Sequence, residues 1–416
     1  MSKVTLNFSM SKTDITEITN YKAKIKSIHD NLHSGKMENT GWVDYPMRIS
    51  DALVDEMNSV ARKIRKENTA FVIIGIGGSF LGARACTQML MSRYHNETNK
   101  LKIYFAGWNL SGTYHKELYD RIKKEDIAVC VVSKSGITTE TSVVFNLFKK
   151  LLIEKYGEEF NQHVFVVTDK STGALRAETT KNKYTSFVLE NDIGGRYSVL
   201  TPAGLFPIAV AGIDIKRILD GAKQAYERYN NPNIVENPCY QYAAIRRILN
   251  QKHNRTVEIY EFFEPQLVYF AEWLKQLFGE SEGKEYLGIY PSSLILTRDL
   301  HSMGQFLQEG SQIFFETVFK IKNPPFDIEM DGDMSFNEKN NAVMLAVSKA
   351  HYKNNTPIIT FEMDALDEES FGYAVYFFEK ACAASSMLLG VDPFNQPGVE
   401  VYKKNLADLV SKIRRD

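Results

Sequence analysis

Short, unbroken apolar runs alternate with longer stretches of helical period through the first half of the chain. AFVII at 70–74 is followed by the break GIGGS at 75–79, and then by a helical pattern from residue 80 to 94. KIYFA at 102–106 precedes a helical stretch near 114–124, and AVCVV at 128–132 precedes another at 140–156. VFVVT at 164–168 and YTSFV at 184–188 continue the series. An apolar run without polar alternation marks a strand covered on both faces. Strands that alternate with helices build a parallel sheet wrapped on both sides, because parallel neighbours need long right-handed crossovers. After residue 207 the pattern predicts strands at 256–260, 285–290 and 356–361. Helices are expected near 214–229, 264–278, 338–353 and 373–389, with a last one from about 398. Ahead of the first strand, 51–66 has helical spacing, and the polar, weakly periodic stretch at 12–35 predicts a helical arm. The expectation is an α/β protein with two alternating halves.

Composition narrows what such a fold would do. With 416 residues, 44% of them hydrophobic, the chain is long enough for two domains. Its 50 Lys and Arg balance 51 Asp and Glu, so the basic surplus of a nucleic-acid binder is missing. Cys86, Cys130, Cys239 and Cys382 are scattered, form no CxxC pair or zinc spacing, and fit a reduced compartment. The first ten residues lack a signal-peptide profile, and the longest apolar stretch, 202–213, is too short to span a bilayer. A soluble cytoplasmic protein without membrane or nucleic-acid partners is expected.

Two loops carry candidate chemistry. In open α/β sheets ligands sit at the carboxyl ends of the strands, where helix N-termini present N–H groups to anions. SKSGITTET at 133–141 places hydroxyls at 133, 135, 138, 139 and 141 beside the ammonium of Lys134. One Ser or Thr before a helix is ordinarily a cap. Five around a glycine, directly after a buried strand, favour three phosphate oxygens. GIGGS says less alone, since strand-to-helix turns often need glycine for backbone reasons. It has Phe80 where a dinucleotide fingerprint needs glycine, and it lacks the Gly-Lys-Ser/Thr of a P-loop. A small sugar phosphate suits these loops better than a nicotinamide cofactor or ATP.

Four more segments complete the picture: DIGGRYS (192–198), FGESEGK (278–284), HSMGQ (301–305) and PFNQPGVEVYK (393–403). Together with the two loops, in this order from residue 75 to 403, they resemble the diagnostic segments of phosphoglucose isomerases, in the compact bacterial branch. The resemblance implies two doubly wound, flavodoxin-like sugar-isomerase (SIS) domains. These would be a first at 51–205 and a second at 206–397, with a helical arm at 1–50 and a C-terminal helix at 398–416. It also implies a homodimer, no metal and no coenzyme.

The activity implied is the reversible conversion of glucose 6-phosphate and fructose 6-phosphate through ring opening and a cis-enediolate. That chemistry needs a base beside C1–C2 and positive charge near the oxygens. By the resemblance Glu280, expected on a tight loop after an apolar segment, is the base. Arg196, whose guanidinium stays protonated, stabilises the enediolate. His301 opens the ring and reaches its site from the partner subunit, and Lys403 assists at the ring or O1 oxygen. Gln396, Gly78, Ser79, Ser133, Lys134, Ser135 and Thr138 hold the substrate. His95, His115, His163, His253 and His351 sit in polar surroundings and are read as surface residues. Gly279 stands where many relatives have methionine and Pro397 where many have an aromatic residue; both positions shape the pocket.

Other readings stay open on the residues alone. A sensing or transferase SIS domain would share the Ser-rich loop but not the set Arg196, Glu280, His301 and Lys403. A side activity on mannose 6-phosphate is compatible with the sequence. A metal isomerase is disfavoured, since no His and carboxylate cluster has ligand spacing.

Overall fold

The computed structural model describes residues 2–413, apart from the side chains at 407 and 410–413. It contains two five-stranded sheets. The strands are β1 (Val4–Asn7), β2 (Ala70–Ile74), β3 (Lys102–Ala106), β4 (Ile127–Val132), β5 (Val164–Thr168), β6 (Thr185–Val188), β7 (Val257–Phe262), β8 (Tyr290–Ile295), β9 (Phe314–Asn323) and β10 (Ile358–Ala365).

The first sheet runs β3-β2-β4-β5-β6, parallel throughout. Every residue of β2, β4 and β5 is buried, as their unbroken apolar runs require of strands covered on both faces. The chain steps outward from β2 to β3, then returns to the far side of β2 as β4. The order therefore reverses between β2 and β4, and the GIGGS and SKSG loops leave the carboxyl ends of those two strands. In a doubly wound sheet this switch point is where a ligand crevice opens.

The second sheet runs β1-β10-β9-β7-β8 and is parallel except for β1, which pairs antiparallel with β10 (Val4 opposite Met363). Residues 1–50 are therefore more than a helical arm. They contribute an edge strand to the distant half before the helices Ile15–Thr19, Lys22–Leu32 and Tyr45–Arg48 begin. A strand of four residues gives too little alternation to be read from sequence. The strand expected at 285–290 starts instead at Tyr290, because Glu285, Tyr286 and Gly288 all take positive φ and turn the chain before it. Strand β9 and the helices Pro238–His253 and Leu300–Glu309 had no counterpart in the sequence reading. The boundary expected at 205/206 falls inside the helix Pro202–Val210, and the C-terminal helix runs Gly398–Ile413, with 414–416 outside the described residues.

Two histidines read as surface residues are buried. His115 is on the buried face of the helix Gly112–Ile122, and His351 contacts Glu316 of β9 at 2.8 Å. His163 stacks on Tyr156 with ring centres 3.6 Å apart. His351, Glu316 and Glu261 of β7 converge, with one ligand-type atom from each within 4.8 Å of the others. Burial pushes the Glu316 carboxyl up to about 8, and burial together with the neighbouring Glu316 charge drives Glu261 upward as well. The folded state thus holds a proton on Glu316 that the unfolded chain releases above its ordinary 4.5. The stability this group supplies is complete below about 4.5 and drains as pH rises toward 8. Glu316→Gln, permanently neutral, should escape that loss. Thermal melts between pH 5 and 8 should show the variant gaining on the parent as pH rises, whereas parallel curves would mean that Glu316 does not titrate there.

Among the described residues no helix is long and apolar enough to cross a membrane.

Candidate active site

The GIGGS turn, the GGR loop and the end of one long helix meet where the second half packs on the first. Close approach explains the glycines. A Cβ on Gly78 would stand 2.0 Å from the Gly195 carbonyl oxygen, and Gly77, at φ +56°, lies under the Gln276 amide. The helix Val268–Glu282 follows the carboxyl end of β7, packs on the helix Leu81–Leu90 of the first half, and carries Gln276 and Glu280 four residues apart on one face. Glu280 is therefore in the last turn of a helix, not on the loop expected. The helix continues through Gly279 because Leu277, Phe278, Ser281 and Glu282 are buried inward, which outweighs the weak helix propensity of glycine. A Cβ at 279 would meet only Pro291 at 3.6 Å, and Gly279 and Gly283 line an open cleft of about 450 Å³ on the flank of this turn.

Arg196 is the hub. It is 3% exposed, and each of its five N–H bonds has an acceptor. Nε donates to the Ser281 hydroxyl (2.9 Å). Nη1 donates to Glu280 Oε2 and to Gln396 Oε1 (both 3.1 Å), and Nη2 to the carbonyls of Pro393 (2.5 Å) and Asn395 (2.9 Å). The other Glu280 oxygen accepts from Gln276 Nε2 at 3.3 Å, and Trp273 Nε1 donates to the Arg196 carbonyl at 3.3 Å. Glu280 keeps about a third of its side chain open to solvent, at 34%. The result is a carboxylate at an opening, backed by a guanidinium that cannot lose its charge. Lys284 fastens the helix end to the 392–397 segment by donating to the carbonyls of Ser281 (2.8 Å) and Asp392 (2.5 Å). Burial, aided by the Arg196 charge, pushes its ammonium down to about 8.

In the SKSG loop, the Ser133 and Ser135 hydroxyls accept from the N–H groups of Gly136 (3.1 Å) and Ile137 (3.3 Å), which ties the loop into a turn. Gly136 has φ +75°, and a Cβ there would press on Leu175, so glycine is required. Lys134, lowered by burial, donates to the Asn191 carbonyl at 2.9 Å, next to the DIGGR segment. Thr138 is the N-cap of the helix Thr139–Tyr156 but makes no side-chain cap bond. Ser79 likewise heads the helix Leu81–Leu90 with its hydroxyl unclaimed. Free hydroxyls beside two helix N-termini, on adjacent strands, can serve an anion.

The structure thus brings together Arg196, Glu280 and Gln396, with Gly78 and Ser79 on the abutting turn. It does not bring in His301 or Lys403. His301 is exposed at the start of the helix Leu300–Glu309, and the exposed Lys403 pairs with Glu400 one turn away at 2.7 Å. Sequence reasoning missed Gln276, Ser281 and Lys284 as partners in the cluster. Extending the expected helix from 278 to 282 would have placed Gln276 one turn before Glu280.

Comparison with known proteins identifies the family. The chain is 46% identical to a glucose-6-phosphate isomerase of Staphylococcus saprophyticus over 412 residues, covering 95% of this chain and 93% of the relative. It is 44% identical to that of Staphylococcus aureus over 430 residues, covering 99% and 97%. Among solved structures, a glucose-6-phosphate isomerase from Chlamydia trachomatis superposes with TM-score 0.85 at 20% identity, over 100% of this chain and 90% of the other. A hypothetical protein from Thermus thermophilus superposes with TM-score 0.89 at 23% identity, over 98% and 99%. The phosphoglucose isomerase family matches residues 51–289, and with relatives this similar over nearly its whole length, the chain belongs to that family.

Proposed function

We propose that this protein interconverts glucose 6-phosphate and fructose 6-phosphate, serving glycolysis and gluconeogenesis in the cytoplasm, with Glu280 as the base. The observation that carries the reading is the Arg196–Glu280 pair, a half-open carboxylate held 3.1 Å from a buried guanidinium beside two anion-ready loops. The phosphate is held by Ser79, Ser133, Lys134, Ser135 and Thr138, with Gly78 letting the turn close against Gly195 beside the site and Gln396 adding a contact next to Arg196. Glu280 removes the C2 proton of the open-chain aldose. The C–H electrons form the C1–C2 double bond, and the carbonyl pair moves onto O1. Arg196 opposes the charge that develops there. The O2 hydroxyl proton passes to O1, and Glu280 returns the carbon-bound proton to C1 while the C2 carbonyl forms. Oxidation at C2 balances reduction at C1, so the reaction needs no external electron acceptor.

Substrate must displace part of the Nη1 contact, which it can do because Nε and Nη2 stay anchored to Ser281, Pro393 and Asn395. Ring opening falls to His301. Its exposure on the helix Leu300–Glu309 suits delivery to a neighbouring copy, so the active form is a homodimer with His301 of the partner subunit in each site. Lys403 joins when the helix Gly398–Ile413, with Val401, Tyr402 and Leu409 exposed, closes on the site.

Purified protein given fructose 6-phosphate, with glucose 6-phosphate detected by a coupled dehydrogenase and EDTA present, should turn over steadily. Binding of the sugar phosphate without product would favour a sensing role instead.

A further inference from the structure

We infer that the buried pair Arg246–Glu282 is a positioning device for Glu280, fixing the rotation of the helix end that carries the base. This rests on the reading of Glu280 as base. Successive helix residues are about 100° apart, so 282 points roughly 200° away from 280. Glu282 is buried, and its Oε2 accepts from Arg246 Nη2 at 2.7 Å and from the Ile289 N–H at 3.4 Å. Ser281, between the two, is held by Arg196 Nε at 2.9 Å and lies 3.3 Å from the Tyr197 hydroxyl. With 281 and 282 both pegged inward, Glu280 can only face the opening. Without pegs a terminal helix turn frays.

Arg246 is well placed to hold such a peg. It is fully buried on the helix Pro238–His253, pairs through Nη1 with Glu258 of β7, and donates from Nε to Ser385 at 3.2 Å on the helix Glu368–Leu389. Its guanidinium also lies 4.2 Å from the centre of the Phe278 ring. Glu258 is fixed in turn by the hydroxyls of Tyr242 and Thr317. One guanidinium therefore references the base-bearing turn to a central strand and two core helices. Apolar groups of similar volume would stabilise a core at least as well as a buried ion pair does. A pair placed directly under the base therefore argues for a role in geometry.

The test uses two variants of the full chain. Glu282→Gln keeps size and one acceptor for Arg246, and the triple variant R246M/E258Q/E282M replaces the whole ionic cluster with neutral volume, leaving no buried carboxylate without its partner. Both should fold by circular dichroism and hold KM for fructose 6-phosphate within about threefold. Both should lose kcat by about tenfold or more, since displacement of a reacting group by about 1 Å can cost about 10²-fold. Exchange of the substrate's C2 proton into D2O should fall in step with kcat. Folded variants with kcat within about twofold of the parent would overturn the inference, as would failure of both to fold, because the pair would then serve the fold itself. Glu280→Gln run in parallel separates the two readings. If it is inactive while the Glu282 and Arg246 variants are normal, only the positioning role fails; if it is active, the base assignment fails.

Discussion

Glu280→Gln is expected to lower kcat by about 10²–10⁴-fold, the usual contribution of a positioned general base, while KM and Tm stay close to those of the parent. The structure explains why the fold should tolerate this change. The two Glu280 oxygens have different partners, Arg196 Nη1 for one and Gln276 Nε2 for the other. An amide keeps its oxygen toward Arg196 and turns an N–H toward Gln276. The Gln276 Oε1 is buried without a partner, so a flip of that side chain would pair it with the new donor. What the amide cannot do is accept the C2 proton. Exchange of that proton with D2O, measured beside turnover, is the direct readout and should vanish with kcat. Near-parental turnover would remove Glu280 as base, whatever its geometry.

How much of this was legible beforehand differs between the two halves. In the first, β2, β4 and β5 could be read almost to the residue, because strands buried on both faces leave continuous apolar runs. The second half is less transparent for a physical reason. The sequence pattern predicts β7 only over 256–260 because Glu261 cuts its apolar run short, and Glu316 and Thr317 interrupt β9, so buried polar groups break the pattern that would announce a strand. The two carboxyl groups are legible only once His351 is seen beside them. The site followed the same logic. The phosphate loops could be argued from hydroxyl density and strand ends, whereas Glu280 and Arg196 needed the resemblance. The tie between them spans 84 residues, and no local pattern encodes it.

Arg196 supports a second expectation, in which two substitutions separate charge from shape. Arg196→Lys keeps a cation but has three donors for five acceptors, and it cannot reach Ser281, Glu280 and the 393–395 carbonyls together. Arg196→Ala leaves the buried carbonyl of Pro393 and the hydroxyl of Ser281 without their donor. Removing one member of a buried ion pair typically costs about 3–5 kcal/mol. Because Glu280 is partly solvated, the loss in Arg196→Ala should fall below that range and appear as a lowered Tm in a protein that still folds. On turnover the ranking follows from where the charge is needed. Loss of a preorganised donor to a developing oxyanion costs about 10²–10³ in kcat, so the alanine variant should fall at least that far. Lysine should recover part of the loss through charge alone. On the proposed assignment of the phosphate to the loops at 75–79 and 133–139, KM should move far less than kcat in both. Added guanidinium should restore some turnover to Arg196→Ala by refilling the vacated volume. If KM rises while kcat holds, Arg196 is a substrate clamp, and the charge that meets the enediolate must come from another cation, with Lys403 the first to examine.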